Sequence, residues 1–130
     1  YHVPDIARAL REIRRVLKPG GRFIAATFGE HGVVQAVADM LGMRFDTNMR
    51  FTLQNGGEQL AAVFRQVERH DREDALDVTD LRDLIAYLRS MQQMTALADV
   101  PDEKLLAAFA PHVRDGVLSL PKEYGLFICR

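Results

Sequence analysis

Few residues of this chain have the type and spacing that chemistry requires. The four histidines, His2, His31, His70 and His112, are far apart, and Cys129 is the single cysteine. No metal-ligand spacing results, so no metal site is expected. Neither a nucleophile elbow, a Walker loop nor a G-x-G-x-x-G fingerprint occurs in the sequence. Cys129 ends the apolar run Leu126-Phe127-Ile128-Cys129, which predicts a core thiol rather than a nucleophile. The carboxylates over 68–83 alternate with arginines, the pattern of a solvated edge rather than of an acid/base pair. Two places remain. One is Tyr1-His2; the other is the run from Thr27 through Phe28 and Glu30 to His31. Histidine is suited to accept a proton near neutral pH, so His2 and His31 are candidates for that role. Spacing by itself favours the plainer alternative, a terminal residue and an ordinary loop residue, because no partner group is identifiable.

The elements that must position these residues are organised around Val16-Leu17-Lys18-Pro19-Gly20-Gly21-Arg22 and the apolar run Phe23–Phe28. Pro19 cannot continue a helix, and the glycines permit the positive φ of a cap or tight turn. A run apolar on both faces predicts a central, helix-covered parallel strand. The first unit therefore reads as helix, turn and strand, the second half of a βαβ crossover. The loop Gly29-Glu30-His31-Gly32 would then lie at the carboxyl end of a strand, the edge where open α/β sheets bind ligands. If Tyr1-His2 follows a neighbouring parallel strand, both candidate places share that edge.

Upstream, Ile6, Leu10, Ile13 and Leu17 recur at helical spacing, with Pro4 expected at the first helical position. Arg8, Arg11 and Arg15 occupy the other face. They read as solvated, since no aromatic residues interleave as stacking platforms. Downstream, a helix is expected over Val33–Leu41, ended near Gly42. Residues 43–55 are poorly patterned; Phe45, Met49, Phe51 and Leu53 suit a short cover, or less simply a substrate pocket lining. Gly56-Gly57-Glu58 opens another helix, with Leu60, Val63, Phe64 and Val67 on one face. The charged segment 67–77 reads as an edge strand. Thr79 is the expected N-cap of a helix carrying Leu81, Leu84, Ile85, Leu88 and Met91. Asp99-Val100-Pro101-Asp102 starts a further helix with Leu105, Leu106, Phe109 and Val113. Two strand pieces, 117–120 and 124–129, are expected around Pro121-Lys122-Glu123.

With 130 residues, 48% apolar and 27% charged, the chain has the length and composition of one globular domain. A net charge of −1 offers no basic field for nucleic acid. No apolar run of about 18 residues is present, so no membrane span is expected. One cysteine excludes an internal disulfide, which makes the cytoplasm the default compartment. A chain opening Tyr1-His2-Val3-Pro4-Asp5 reads as cut from something longer. The rival reading is a free-standing, non-catalytic domain that dimerises or binds a partner.

The stretch YHVPDIARALREIRRVLKPGGRFIAATFGE resembles the region from the fourth to the fifth strand of class I S-adenosylmethionine-dependent methyltransferases. It is most similar to the type 11, ubiquinone/menaquinone-biosynthesis-like group, through Leu17-Lys18-Pro19-Gly20-Gly21-Arg22 preceded by Tyr1-His2-Val3-Pro4-Asp5. Phe51-Thr52-Leu53-Gln54-Asn55-Gly56, Glu73-Asp74-Ala75-Leu76-Asp77-Val78-Thr79-Asp80 and Gly125-Leu126-Phe127-Ile128 extend the likeness along the chain. The resemblance implies an α/β fold, a partial Rossmann-like methyltransferase with a small mixed sheet flanked by helices. Its strands would be the family's fifth, seventh and sixth, the last in sequence lying between the other two. It further implies one domain over 1–130 with a helical insertion over 79–115. The family's acidic glycine-rich loop, which holds the cofactor, has no counterpart in this sequence. By the same likeness, Tyr1 and His2 match positions beside the cofactor's reactive end, with His2 the candidate catalytic residue. Thr27, Phe28, Glu30 and His31 match a substrate-side loop. The implied activity is methyl transfer from S-adenosylmethionine to a small-molecule acceptor, with the chain by itself inactive. Its apolar central-strand edge would then favour self-association.

Overall fold

A computed structural model describes residues 3–130, except for the side chains of Gln92 and Gln93. The chain runs α1 (Ile6–Val16), β1 (Phe23–Phe28), α2 (Val33–Leu41), α3 (Gly56–Ala61), β2 (Val67–Val78), α4 (Leu81–Ser90), α5 (Asp102–Phe109) and β3 (Leu118–Cys129). Short 3-10 turns at Gln92–Leu97 and Ala110–His112 flank α5. The fold is mixed α/β with a three-stranded sheet of order β1-β3-β2. The last strand in sequence therefore lies in the middle, as the resemblance implies. β1 and β3 are antiparallel, with Phe23 opposite Cys129 and Phe28 opposite Tyr124.

Two compact units each have their own apolar core. The first comprises Tyr1–Glu30, Asn48–Glu73 and Glu123–Arg130; the second comprises His31–Thr47 and Asp74–Lys122. In the first, the α1 stripe behaves as its spacing demands: Leu10 is buried, while Ile6, Ile13 and Leu17 pack around it. These meet Phe51, Leu53, Leu60, Phe64, Phe127 and Cys129. Phe51 and Phe127 meet edge to face at 6.0 Å, and Phe23 stacks on Phe64 at 5.8 Å. In the second unit, Leu84, Ile85 and Leu88 of α4 join Leu105 and Phe109 of α5, Val37 of α2, and Leu118 and Leu120 of β3.

Several local expectations are corrected. Pro4 is not the first helical residue: Asp5 is the N-cap of α1, its carboxylate accepting from the Arg8 N–H at 2.8 Å. Likewise Asp80, not Thr79, caps α4 by accepting from the Arg82 N–H at 2.8 Å. A carboxylate offers the helix N-terminus both an acceptor and a favourable charge, so aspartate serves both ends. The helix opening at Gly56 stops at Ala61, which leaves Val63 and Phe64 in the following turn and Val67 at the start of β2. β3 is one twelve-residue strand rather than two pieces. β1 is not helix-covered on both faces among the described residues: Ile24 is 58% and Phe28 52% exposed. Its ladder partner is the antiparallel β3, not a parallel neighbour. The end of α2 follows its sequence closely, with Gly42 as a left-handed cap at φ 61°.

Candidate functional site

The loop that follows β1 is anchored by the irregular segment 51–55. Thr27, near the carboxyl end of β1, is 5% exposed, and its hydroxyl donates to the Phe51 carbonyl at 2.9 Å. One residue later the Phe28 carbonyl accepts from the Leu53 N–H at 3.1 Å. The Gly29 N–H donates to the Glu123 carbonyl at 2.8 Å. These backbone bonds extend the sheet edge by one irregular layer and place Glu30 against Thr52 and Gln54.

Glu30 is bound at both ends. Its backbone N–H donates to Gln54 Oε1 at 3.0 Å, and its Oε1 accepts from the Thr52 hydroxyl at 2.8 Å. Gln54 spends its other end on Glu123, its Nε2 donating to Oε1 at 2.7 Å. One amide thus holds the Glu30 backbone and the Glu123 carboxylate together. Thr52 is itself fixed: its N–H donates to Asn55 Oδ1 at 2.9 Å, and its hydroxyl accepts from the Asn55 N–H at 3.3 Å. Gln59 Nε2 completes the net by donating to Asn55 Oδ1 at 2.8 Å. The remaining Glu30 oxygen, Oε2, has no protein hydrogen bond among the described residues, and Glu30 as a whole is exposed. The arrangement can present one carboxylate oxygen, held in a fixed place, to a hydroxyl or amine.

A second polar pair stands on β2. Arg69 donates from Nε and one terminal nitrogen to the two oxygens of Asp71 at 2.6 and 2.8 Å, a bidentate fork. Its other terminal nitrogen donates to the Leu53 carbonyl at 2.7 Å. The Asp71 hydrogen bond holds the Arg69 guanidinium above its ordinary value, and Arg69 holds the Asp71 carboxyl below its own.

Of the sequence candidates in the first unit, Thr27 is buried with its hydroxyl engaged, Phe28 is half-exposed, and Glu30 is exposed and bonded. His31 is exposed and belongs to the second unit. Tyr1 and His2 lie outside the described residues. Sequence reasoning missed Thr52, Gln54, Asn55 and Glu123. Thr52, Gln54 and Asn55 lie in the poorly patterned segment 43–55, which carries no periodicity to mark them, and Glu123 is brought to Gln54 across 69 positions by the sheet alone.

Residues 1–25 match the family model for a methyltransferase domain. The match covers α1, the Pro-Gly-Gly turn and the first residues of β1. It supports a class I S-adenosylmethionine-dependent methyltransferase-type domain. The sheet order β1-β3-β2 is consistent with part of that fold. No curated protein matches the chain. A methyltransferase of this class uses S-adenosylmethionine. The space where a Cβ on Gly29 would stand is filled by the Glu123 carboxylate. Among the described residues no group of three or more His, Cys, Asp or Glu side chains is arranged to hold a metal, and no helix is long and apolar enough to cross a membrane.

Proposed function

We propose that this chain is the acceptor-side part of an S-adenosylmethionine-dependent methyltransferase acting on a small molecule, of the ubiquinone/menaquinone-biosynthesis-like type. The match over residues 1–25 carries this reading. Within it, Phe28 supplies an apolar surface and Glu30 Oε2 a fixed hydrogen-bond acceptor for the substrate. Methyl transfer asks the protein chiefly for alignment, and a carboxylate held by Thr52 and by the sheet edge suits that task. The 130 residues by themselves do not retain the cofactor, because no glycine-rich loop is among them. Isothermal titration of the chain with S-adenosylmethionine is therefore expected to show no micromolar binding. A micromolar Kd would overturn the proposed inactivity. The methyltransferase reading itself is tested by the coding DNA upstream of Tyr1. An open frame encoding a strand, an acidic residue and a Gly-x-Gly loop is expected; a start codon adjoining Tyr1 removes the reading.

A second reading, a non-catalytic interaction domain, is favoured by one observation. Ile24 and Phe28 lie on one face of β1, each more than half exposed, an apolar face beside the strand's edge that a second copy can cover. In this reading the β1 edge is the contact for self-association, and Ile24→Lys abolishes it.

A further inference from the structure

The opposite margin of the sheet carries a charge pattern that matches itself. β2 is the outer strand, and residues 68–75 are all exposed. At its start, Gln66 and Arg130 exchange both backbone bonds, Gln66 N–H to Arg130 O at 3.1 Å and Arg130 N–H to Gln66 O at 3.0 Å. Antiparallel alternation from that pair turns the amides of Glu68, His70 and Arg72 toward β3 and those of Val67, Arg69, Asp71 and Glu73 outward. The same register brings Asp71 opposite Gly125: a Cβ placed on Gly125 would stand 3.2 Å from the Asp71 Cα.

Two copies of such an edge can pair antiparallel about a two-fold axis perpendicular to the sheet. The residue at the axis then faces itself, and its neighbours face one another in reciprocal pairs. With His70 at the axis, Arg69 of one copy lies opposite Asp71 of the other, and Glu68 lies opposite Arg72, each pair occurring twice. The outward amides of positions 67, 69, 71 and 73 then also face one another. Moving the axis to Asp71 sets that carboxylate against itself and Glu68 against Asp74, although Arg69 then faces Glu73. Moving it to Arg72 sets two guanidinium groups together and Asp71 against Glu73. Like charges directly opposite are destabilising, and opposite charges contribute roughly 0.2–1 kcal/mol per pair. Of these three registers, only the one about His70 sets no carboxylate against a carboxylate and no guanidinium against a guanidinium. The edge also holds a cation with no partner of its own. Arg69 is paired with Asp71, and Glu68 with Arg130 and, at 3.9 Å, with His70, but the Arg72 guanidinium makes no hydrogen bond or ion pair among the described residues.

We propose that β2 is the contact of a symmetric homodimer in which residues 67–73 of two copies pair antiparallel about His70. The mixed charges reject unrelated edges, as charged edge strands generally do, while accepting a second copy of this chain. The pairing continues the sheet from three strands to six and satisfies the outward amides of both edges.

Sedimentation velocity on the 130-residue chain at tens of micromolar tests this. A dimer is expected at low salt, dissociating as salt is raised because the pairs are exposed. Arg72→Glu is expected to weaken the dimer at least tenfold by opposing Glu68 to a second carboxylate at both ends. The double variant Glu68→Arg/Arg72→Glu restores the opposition with signs exchanged and is expected to recover the dimer. Glu73→Pro removes an outward amide without a β3 bond and is expected to be monomeric, with an unchanged far-ultraviolet circular dichroism spectrum. A wild-type monomer at low salt overturns the proposal. So does a dimer that survives Arg72→Glu and is lost in Ile24→Lys, which would assign the contact to β1.

Discussion

The Thr52 hydroxyl donates to Glu30 Oε1 at 2.8 Å across 22 positions of sequence, and Thr52 is 1% exposed while Glu30 faces solvent. A buried hydroxyl therefore reaches out to hold a surface carboxylate at the end of β1. The same hydroxyl accepts from the Asn55 N–H, so one oxygen fixes both the Glu30 side chain and the turn that opens α3.

Replacing Thr52 with valine keeps the volume and removes both bonds. Glu30 can turn to water, but the Asn55 N–H loses its acceptor. A loss of about 1–2 kcal/mol is expected in urea unfolding, with an unchanged slope. In the proposed enzyme the same change also frees Glu30 from its fixed place. An unchanged midpoint would mean that the bond contributes nothing net.

Gly56 and Gly57 are neighbours in α3 with opposite expectations. A Cβ on Gly56 would lie 2.9 Å from the Phe51 ring and 3.0 Å from the Phe127 ring, both part of the first core. Gly56→Ala is expected to cost roughly 1–3 kcal/mol, because buried rings cannot retreat without strain. A Cβ on Gly57 meets the Phe127 ring at an ordinary 3.6 Å. Gly57→Ala is expected to be neutral or to stabilise by up to about 1 kcal/mol through helix propensity. Thermal melts of the two variants should shift in opposite directions, or at least differ in that order.

Cys129 is fully buried in the first core, and burial pushes its thiol above its ordinary value. A thiol-specific reagent is expected to leave the native chain unlabelled at neutral pH and to label it fully in denaturant. The raised value also sets a pH dependence. The unfolded thiol ionises first as pH rises, so the unfolded state then binds fewer protons and stability falls. This contribution is complete below the unfolded value and is lost as pH rises through the folded one. Cys129→Ser, which removes the thiol, should flatten that alkaline decline relative to wild type.

The sequence by itself determined the elements whose stability is local. Periodicity in Ile6, Leu10, Ile13 and Leu17 demands a helix with one buried face, and Gly42 marks where α2 must stop. The charged run of β2 could only be an edge, because no core accepts so many uncompensated charges. Tertiary structure decided what depends on partners distant in sequence. Pro121 suggested a break in β3, yet the strand continues. The alternation set by Gln66 and Arg130 turns the position of its missing N–H toward β1, whose ladder has already ended at Phe28 opposite Tyr124. The proline therefore forfeits no ladder bond, a fact that only the lengths of neighbouring strands supply. The setting of Glu30 is of the same kind. Its candidacy was legible from its place after an apolar strand, but Thr52 and Gln54 hold it, and Gln54 in turn ties it to Glu123. Those bonds join residues that no periodicity relates, and they exist because chain folding brings three separate segments to one end of β1.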